Sequence, residues 1–398
     1  MPSLRERGLL IDIETEIKEM LQITSSCSHN RIIMIRLLGM NDTNSALTRR
    51  HISILAILEY HTALRPALVL EQLAATIGPA ETPALITIKR DLDELYTAGY
   101  CAREGAGRAT SYRLTEYGVL QRPIEVETYA ATPPDERATR SGFAFDLIRH
   151  FPTRLLKPDT IYTIDRDTVH YRNRLDRASA VIRAKELERF VIELSWKSSA
   201  IEGNTYTLLD TERLLKDGIA APNHDPAEAQ MIINHKHALQ FVVDTVTNTK
   251  LETISQRFLE QVHELLIADL GVAVGVRKTL VGITGSAYTP LDNQHQIHEA
   301  LTLLYDAIAR LSHPIEKALV ALAGISYIQP FEDGNKRTAR LVSNALLLSH
   351  QYAPLSYRTV DIERYRSAML VFYEQLSLVP VHDILLEQYT FSTSHYLV

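Results

Sequence analysis

The run Tyr327–Val342, "YIQPFEDGNKRTARLV", decides how the second half of the chain is read. An apolar helical pattern ends near Ile328, Pro330 interrupts it, and a second pattern begins after Asp333–Gly334–Asn335. Gly334 tolerates backbone conformations that other residues resist, and Asn335 can cap the second pattern, so the spacing predicts a tight turn opening onto a helix N-terminus. The N–H groups of Asn335 and Lys336 would point outward there, and such an end binds anions. Arg337 and Arg340 stand three apart, neighbours on one helix face. Two guanidinium forks beside free amides suit a di- or triphosphate better than a single carboxylate. Asp333 can hold a magnesium ion that bridges phosphate oxygens. Each part is common, so spacing alone leaves open a plain helix start with arginines solvating a surface. No G-x-x-x-x-G-K-[ST] run occurs, which disfavours an ordinary P-loop ATPase.

Outward from this stretch, the chain of 398 residues exceeds one typical domain and predicts two or three units. Hydrophobic residues at 45% and charged residues at 23% are those of an ordinary globular protein, which argues against wholesale disorder. A net charge of -6 argues against attraction of the whole molecule to nucleic acid or anionic membrane, while leaving room for a local basic surface. Cys27 and Cys101 lie far apart without companions at metal-ligand spacing, so neither a disulfide framework nor a zinc site is expected. The charged start lacks the apolar core of a secretion signal and no run approaches a membrane span, so the cytoplasm is the expected location, with no membrane partner.

Residues 1–48 carry the polar string "TSSCSH" and a second methionine, Met40, and read as an overextended start or a loosely attached helix. Residues 49–120 are clearer. Two short apolar helices precede a third, in which Thr82 is the expected N-cap, Pro83 the first helical residue, and Leu85, Ile88, Leu92 and Leu95 one apolar face. Gly99 stops it, and "YCAREGAGRATSYRLT" reads as two strands around a Gly-rich turn. This order resembles a winged helix-turn-helix. Lys89 and Arg90 would lie on its recognition helix and Arg103, Arg108 and Arg113 on its wing, where they could meet DNA phosphates. Asp91, Asp93 and Glu94 dilute that patch, so protein docking or dimerisation is the competing use. Residues 121–142 read as a linker, and 143–398 as a helical domain.

Three ordered motifs within roughly residues 145–390 carry a more specific likeness. "QPFEDGNKRTAR" resembles the Fic (Fido) signature H-P-F-x-[D/E]-G-N-[G/K]-R-x-x-R everywhere except its first position. "SSAIEGN", Ser198–Asn204, is similar to that family's inhibitory [S/T]-x-x-x-E-[G/N] motif, and "RKTLVGITGSAYTP", Arg277–Pro290, resembles its flap. The resemblance implies a mostly α fold: a Fic-type helical domain with an inhibitory helix around 184–204 and a small β-hairpin flap around 277–290, including Gly285, Ser286 and Tyr288. It also implies transfer of AMP from ATP to a hydroxyl on a target protein. Gly334 and Asn335 would form an anion hole, Arg337 and Arg340 would take the phosphates, and Asp333 would take Mg2+. Asn335 and Arg337 would thereby serve catalysis. Lys336 also occurs in relatives that transfer phosphate, which leaves open the phosphorus attacked. A winged module before a Fic domain is a common arrangement, and a homodimer stays open.

Two positions complicate that reading. Where the family has its histidine base, this chain has Gln329, and a carboxamide takes up no proton at ordinary pH. His263 and His298 lie on expected helices and read as structural or surface residues; Glu332 occupies the variable signature position. Leu187, Val191, Leu194 and Ile201 form a helical stripe with Ser198 in its gap and Gly203 as a stop, which puts Glu202 in the final turn. A carboxylate there opposes the helix dipole, so a cation elsewhere should compensate it. The resemblance names Arg340, making Glu202 an inhibitory lid. Three readings result: an autoinhibited, catalytically impaired ATP-binding protein, an active adenylyltransferase using another base, and a DNA-binding regulator with a nucleotide-sensing scaffold.

Overall fold

The computed structural model describes residues 47–140 and 142–396. The expectations for residues 1–46, including Cys27, lie outside the described residues. The described chain divides into two compact units, 47–118 with 127–138, and 119–126 with 139–396.

The first unit contains α1 (Arg49–Glu59), α2 (Pro66–Ile77), α3 (Leu85–Thr97) and the strands β1 (Cys101–Glu104) and β2 (Ser111–Leu114). The strands pair antiparallel, Cys101 opposite Leu114. Thr48 caps α1 by accepting from the His51 amide at 3.2 Å. Ile54, Leu55, Val69, Leu73, Ile88, Leu92 and Leu95 form its core. α3 begins later than its sequence suggests. Ala84 is its N-cap, Pro83 precedes the helix, and Leu85 is exposed rather than part of the buried face. The Thr82 hydroxyl instead donates to the Gly78 carbonyl at 2.8 Å across a 3-10 turn, Pro79–Glu81, while Pro83 disfavours a helical conformation at Thr82. The expected linker, 121–142, is not featureless: after α4 (Glu116–Leu120) it holds α5 (Val126–Ala131) and a 3-10 turn, Pro134–Glu136.

The second unit is helical. It comprises α6 (Phe145–Arg149), α7 (Pro158–Arg177), α8 (Ala180–Ile201), α9 (Leu208–Asp217), α10 (Pro226–Asn248), α11 (Gln256–Ile267), α12 (Gln294–Arg310), α13 (Pro314–Ile328), α14 (Asn335–Ser349), α15 (Ile362–Gln375) and α16 (Val379–His395). Side-chain caps start several of these, with Ser179, Asp225, Ser255, Asn293, His313 and Asp361 each accepting from a first-turn amide. Every residue of α13 from Ile315 to Ile328 is buried, as is α14 from Arg337 to Leu347. α13 is mostly apolar around its circumference, as a central helix should be, whereas α14 is equally buried while carrying Arg337, Arg340 and Asn344. α10 and α11 pack on α14, α12 packs on α13, and the C-terminal half of α8 is buried against α10, α14 and α15. The functional turn therefore joins the two best-buried helices.

The segment 277–290, expected as a β-hairpin flap, contains no strand; β1 and β2 form the sole sheet among the described residues. Its backbone is held instead by the side chains of Arg277 and Glu374, so no ladder is needed to fix it. No helix among the described residues is long and apolar enough to cross a membrane.

Candidate functional site

α13 ends at Gln329, which adopts a left-handed conformation, φ 50° and ψ 60°. For a residue with a Cβ this costs roughly 1–2 kcal/mol, so surrounding contacts must hold it. Its side-chain amide donates to the Ser326 carbonyl at 2.6 Å. A carbonyl can only accept, so Nε2 points back to the helix and Oε1 faces the other way. Asn335 closes the loop between the two helices. Its Oδ1 accepts from the Phe331 amide and its Nδ2 donates to the Phe331 carbonyl, each at 2.8 Å. Gly334 turns into α14 with φ 79°, and a Cβ there would lie 3.3 Å from Ile267 and 3.5 Å from His263. Only glycine satisfies both the angle and the gap.

His263, on α11, is fully buried beneath this turn. Its ring stacks on Phe331 with centroids 3.6 Å apart and planes 7° from parallel. Burial, helped by Arg337 and opposed by the hydrogen bond at the Asp333 carbonyl, pushes the imidazole down to about 4. The neutral ring therefore donates from Nε2 to that carbonyl at 3.0 Å. This commits its proton to the loop. His298 is half-buried on α12.

The α14 N-terminus has the features of an anion site. The first intrahelical bond runs from the Thr338 amide to the Gly334 carbonyl at 2.9 Å, ahead of which the amides of Asn335, Lys336 and Arg337 have no helical acceptor. Arg337 and Arg340 are both buried, and each keeps an Nη1 with no hydrogen-bond partner among the described residues. Two orphaned guanidinium nitrogens beside free amides fit a polyphosphate. Burial pushes the Arg337 guanidinium down, against the pull of Asp333 and Glu202. Asp333 is exposed; its Oδ2 lies 3.1 Å from Arg337 Nη2. The other oxygen stays available to a magnesium ion, so the residues fit the metal that the resemblance implies.

Arg340 also binds the end of α8. Its Nε donates to Ser198 Oγ at 2.9 Å, and its Nη2 to the Ser198 carbonyl and to Glu202 Oε1, both at 2.8 Å. Glu202 is the C-cap of α8, one residue past its last turn, and Gly203 comes next with φ 101°. The second Glu202 oxygen lies 3.5 Å from Lys336 Nζ. Burial pushes this carboxyl up, yet Arg340, Lys336 and Arg337 together outweigh it and hold the group below its ordinary value. Burial likewise works against charge on Arg340, and Glu202 and Tyr365 together more than offset it. The cation that α8 requires is thus shared among several groups. Arg366 adds another by donating to the Ile201 carbonyl from Nε and Nη2 at 3.0 and 2.7 Å.

The flap residues face inward. Ser286 Oγ and the Ala287 amide both donate to Glu374 Oε1 at 2.8 Å, and the buried Tyr288 donates to the Tyr327 carbonyl at 2.9 Å. Gly285 forms the exposed corner, φ 77°. In the first unit, the cations expected to meet DNA are largely neutralised. Arg90 lies 3.7 Å from Glu94, Arg103 lies 3.8 Å from Asp93 and Arg113 lies 2.8 Å from Glu104. Lys89 and Arg108 are exposed and make no ion pair among the described residues.

Sequence reasoning missed the Lys336 bridge, the Arg366 cap, the stacking of His263 and the anchoring of the flap by Arg277. The carbonyls at the end of α8 pointed to a cation without saying which. Nothing local marked the others, because their partners lie far away in sequence.

Residues 253–347 match a family model described as Fic/DOC family. The chain is 31% identical over 173 residues to the Protein adenylyltransferase Fic of Nematostella vectensis, covering 43% of this chain and 40% of that protein. It is 28% identical over 188 residues to the Protein adenylyltransferase fic-1 of Caenorhabditis elegans, covering 46% of this chain and 36% of that one. The chain thus spans well under half the length of these curated relatives. A solved structure of a Fic domain containing signaling protein from Bacteroides thetaiotaomicron superposes with a TM-score of 0.49 at 20% identity, over 60% of this chain and 95% of that one.

Proposed function

Since the chain carries a Fic domain, we propose that its second unit binds ATP and magnesium as a relative of protein adenylyltransferases, is held off by Glu202, and transfers AMP poorly because of Gln329. The observation that carries this reading is Arg340. One buried guanidinium, in the second turn of α14 and over the Tyr365 ring, serves Ser198 and Glu202 while its Nη1 has no hydrogen-bond partner among the described residues. That is the chemistry of a phosphate site partly occupied by the protein's own carboxylate.

In AMP transfer, the oxygen of a target hydroxyl bonds to the α-phosphorus, the bond from that phosphorus to the β-phosphate oxygen breaks, and pyrophosphate leaves. The hydroxyl proton must go to a base. Magnesium, held through Asp333, would offset the charge of the departing phosphates. Arg337 and Arg340 grip the phosphates, and the α14 amides face the anion. Gln329 Oε1 can accept a hydrogen bond from the hydroxyl and orient it, but cannot keep the proton. Losing a general base costs about 100- to 10,000-fold in rate. His263 cannot replace it, because its ring is fully buried and burial pushes the imidazole down to about 4, too weak to take up a proton at cellular pH.

Incubation with ATP labelled on the α-phosphate tests the reading, with label counted on the chain itself and on added cell-extract protein. Glu202→Gly together with Gln329→His should label strongly and the unaltered chain weakly. Strong labelling by the unaltered chain would overturn the impairment at Gln329.

For the first unit, the winged helix-turn-helix reading rests on element order alone. The described span 47–118 carries eight Lys/Arg against eight Asp/Glu, so DNA affinity would depend on Lys89 and Arg108.

A further inference from the structure

Arg277 grips both sides of the gap between the flap and the signature loop. It is buried at 3% exposure and forms no ion pair among the described residues. All of its side-chain hydrogen bonds go to main-chain carbonyls. Nε donates to Gln329 at 2.6 Å, Nη1 to Thr279 at 2.8 Å, and Nη2 to Leu291. Its own amide donates to the Pro330 carbonyl at 3.0 Å. Burial pushes the guanidinium down, with Tyr288 and Asp292 pulling the other way. Burying an arginine without a carboxylate is costly, and here the return is geometric: a planar fork with fixed directions spans two loops that share no strand ladder.

A second bond runs in parallel, from Thr279 Oγ1 to Glu332 Oε1 at 3.1 Å. The flap is therefore bolted to residues 329–332 at its start, while Ser286, Ala287 and Tyr288 pin its far end to Glu374 and Tyr327. Between these anchors, residues 278–282 are largely exposed, with Leu280 at 72%. The Arg277–Gln329 bond also holds the carbonyl of the residue that sits in the left-handed conformation.

The geometry points to Arg277 as a positioning residue that sets the distance between the target-facing flap and the Gln329 side chain. It touches neither nucleotide nor target and acts through the two loops it joins. The transfer part of this inference rests on the function proposed above; the coupling of the two loops does not. Lysine at this position keeps the charge but offers a point donor rather than a fork, so it can serve one loop and not both. A misplacement of about 1 Å between reacting groups costs on the order of 100-fold in rate.

Two measurements on the full chain test it. In Arg277→Lys, hydrogen exchange should quicken by tenfold or more in 278–291 and 329–333 together, with α10, α13 and α14 unchanged. Faster exchange in one segment alone, or across the whole unit, overturns the coupling. Arg277→Met serves as a second variant with the stem volume retained and every side-chain donor lost, and it should quicken exchange in the same two segments together. The other measurement places Arg277→Lys in the Glu202→Gly/Gln329→His chain and follows α-labelled AMP appearing on the chain itself. Turnover should fall about 10- to 100-fold while calorimetric ATP affinity stays within twofold. Unchanged turnover, or equal losses of turnover and ATP affinity, overturns the positioning role. Should the parent double variant transfer nothing, the proposed function fails and the exchange result still decides the coupling.

Discussion

The two units use cations in opposite ways. In the first, Arg90, Arg103 and Arg113 lie at the surface, each near a carboxylate, in pairs worth about 0–1 kcal/mol apiece. In the second, Arg337 and Arg340 are buried, and each keeps a nitrogen unpaired. An exposed pair of charges asks for no explanation, whereas a buried donor without an acceptor represents a standing cost that a ligand can remove. The contrast supports the ligand chemistry proposed for the start of α14.

The largest expected effect concerns the proton rather than the phosphates. Gln329→His in a Glu202→Gly chain should raise AMP labelling about 100- to 10,000-fold over Glu202→Gly alone, followed with α-labelled ATP. Next comes the contrast itself. Arg340→Met in the Glu202→Gly chain should weaken calorimetric ATP binding roughly 10- to 100-fold, the worth of a lost charge-assisted bond. Arg90→Ala in the first unit should leave stability within about 0.5 kcal/mol in a denaturant titration.

Acid sharpens the comparison further. His235 is buried on α10 with its Nδ1 3.4 Å from Ser195 Oγ. Burial, helped by Arg340 and Arg337, holds it well below its ordinary value. A neutral buried histidine contributes stability that is complete above its unfolded pKa, about 6.5, and is lost as pH falls toward the folded value. Glu202, also lowered, contributes fully above its unfolded pKa, about 4.3, and loses that contribution as pH falls through its own folded value. Unfolding of the second unit should therefore become easier below about pH 6.5, by at most about 1.4 kcal/mol per pH unit for each of the His235 and His263 protons. A further acid limb should appear below about pH 4.3, and Glu202→Gln should shrink it, the remainder coming from Glu228 and Glu252, which are also held below the ordinary value. Thermal midpoints measured from pH 7 to pH 3 check both.

How much of this could be read from sequence depended on how local the signal was. The turn at Gly334 was legible because a positive φ is a local demand, but the cap was misassigned: Gly334 itself is the N-cap, and Asn335 is the first helical residue with its side chain turned back onto Phe331. The mostly α architecture came from the apolar periodicity of the later helices. Glu202 was conspicuous as a carboxylate at the wrong end of a helix, and the structure brings it to both Arg340 and Lys336. The start of α3 was misplaced by two residues, since Thr82 and Pro83 carry N-terminal signals whether or not the helix has begun. The hairpin expected at the flap came from the family resemblance rather than from a strand pattern, and its fixation comes from Arg277 and Glu374, neither of which can be read from local pattern.

The smallest expected effect lies in the first unit. Replacing Lys89 and Arg108 together by alanine should weaken any duplex binding by a few-fold each and reduce the salt slope by about one per lost phosphate contact. A gel-shift series across salt concentrations measures both.

The central claim is that Arg340 is shared between Glu202 and a phosphate. Calorimetric titration of ATP with magnesium into the unaltered chain and into Glu202→Gly tests it most directly. The account predicts tighter binding by at least tenfold once the carboxylate is gone. Equal affinity in the two chains, or no heat of binding in either, would contradict it.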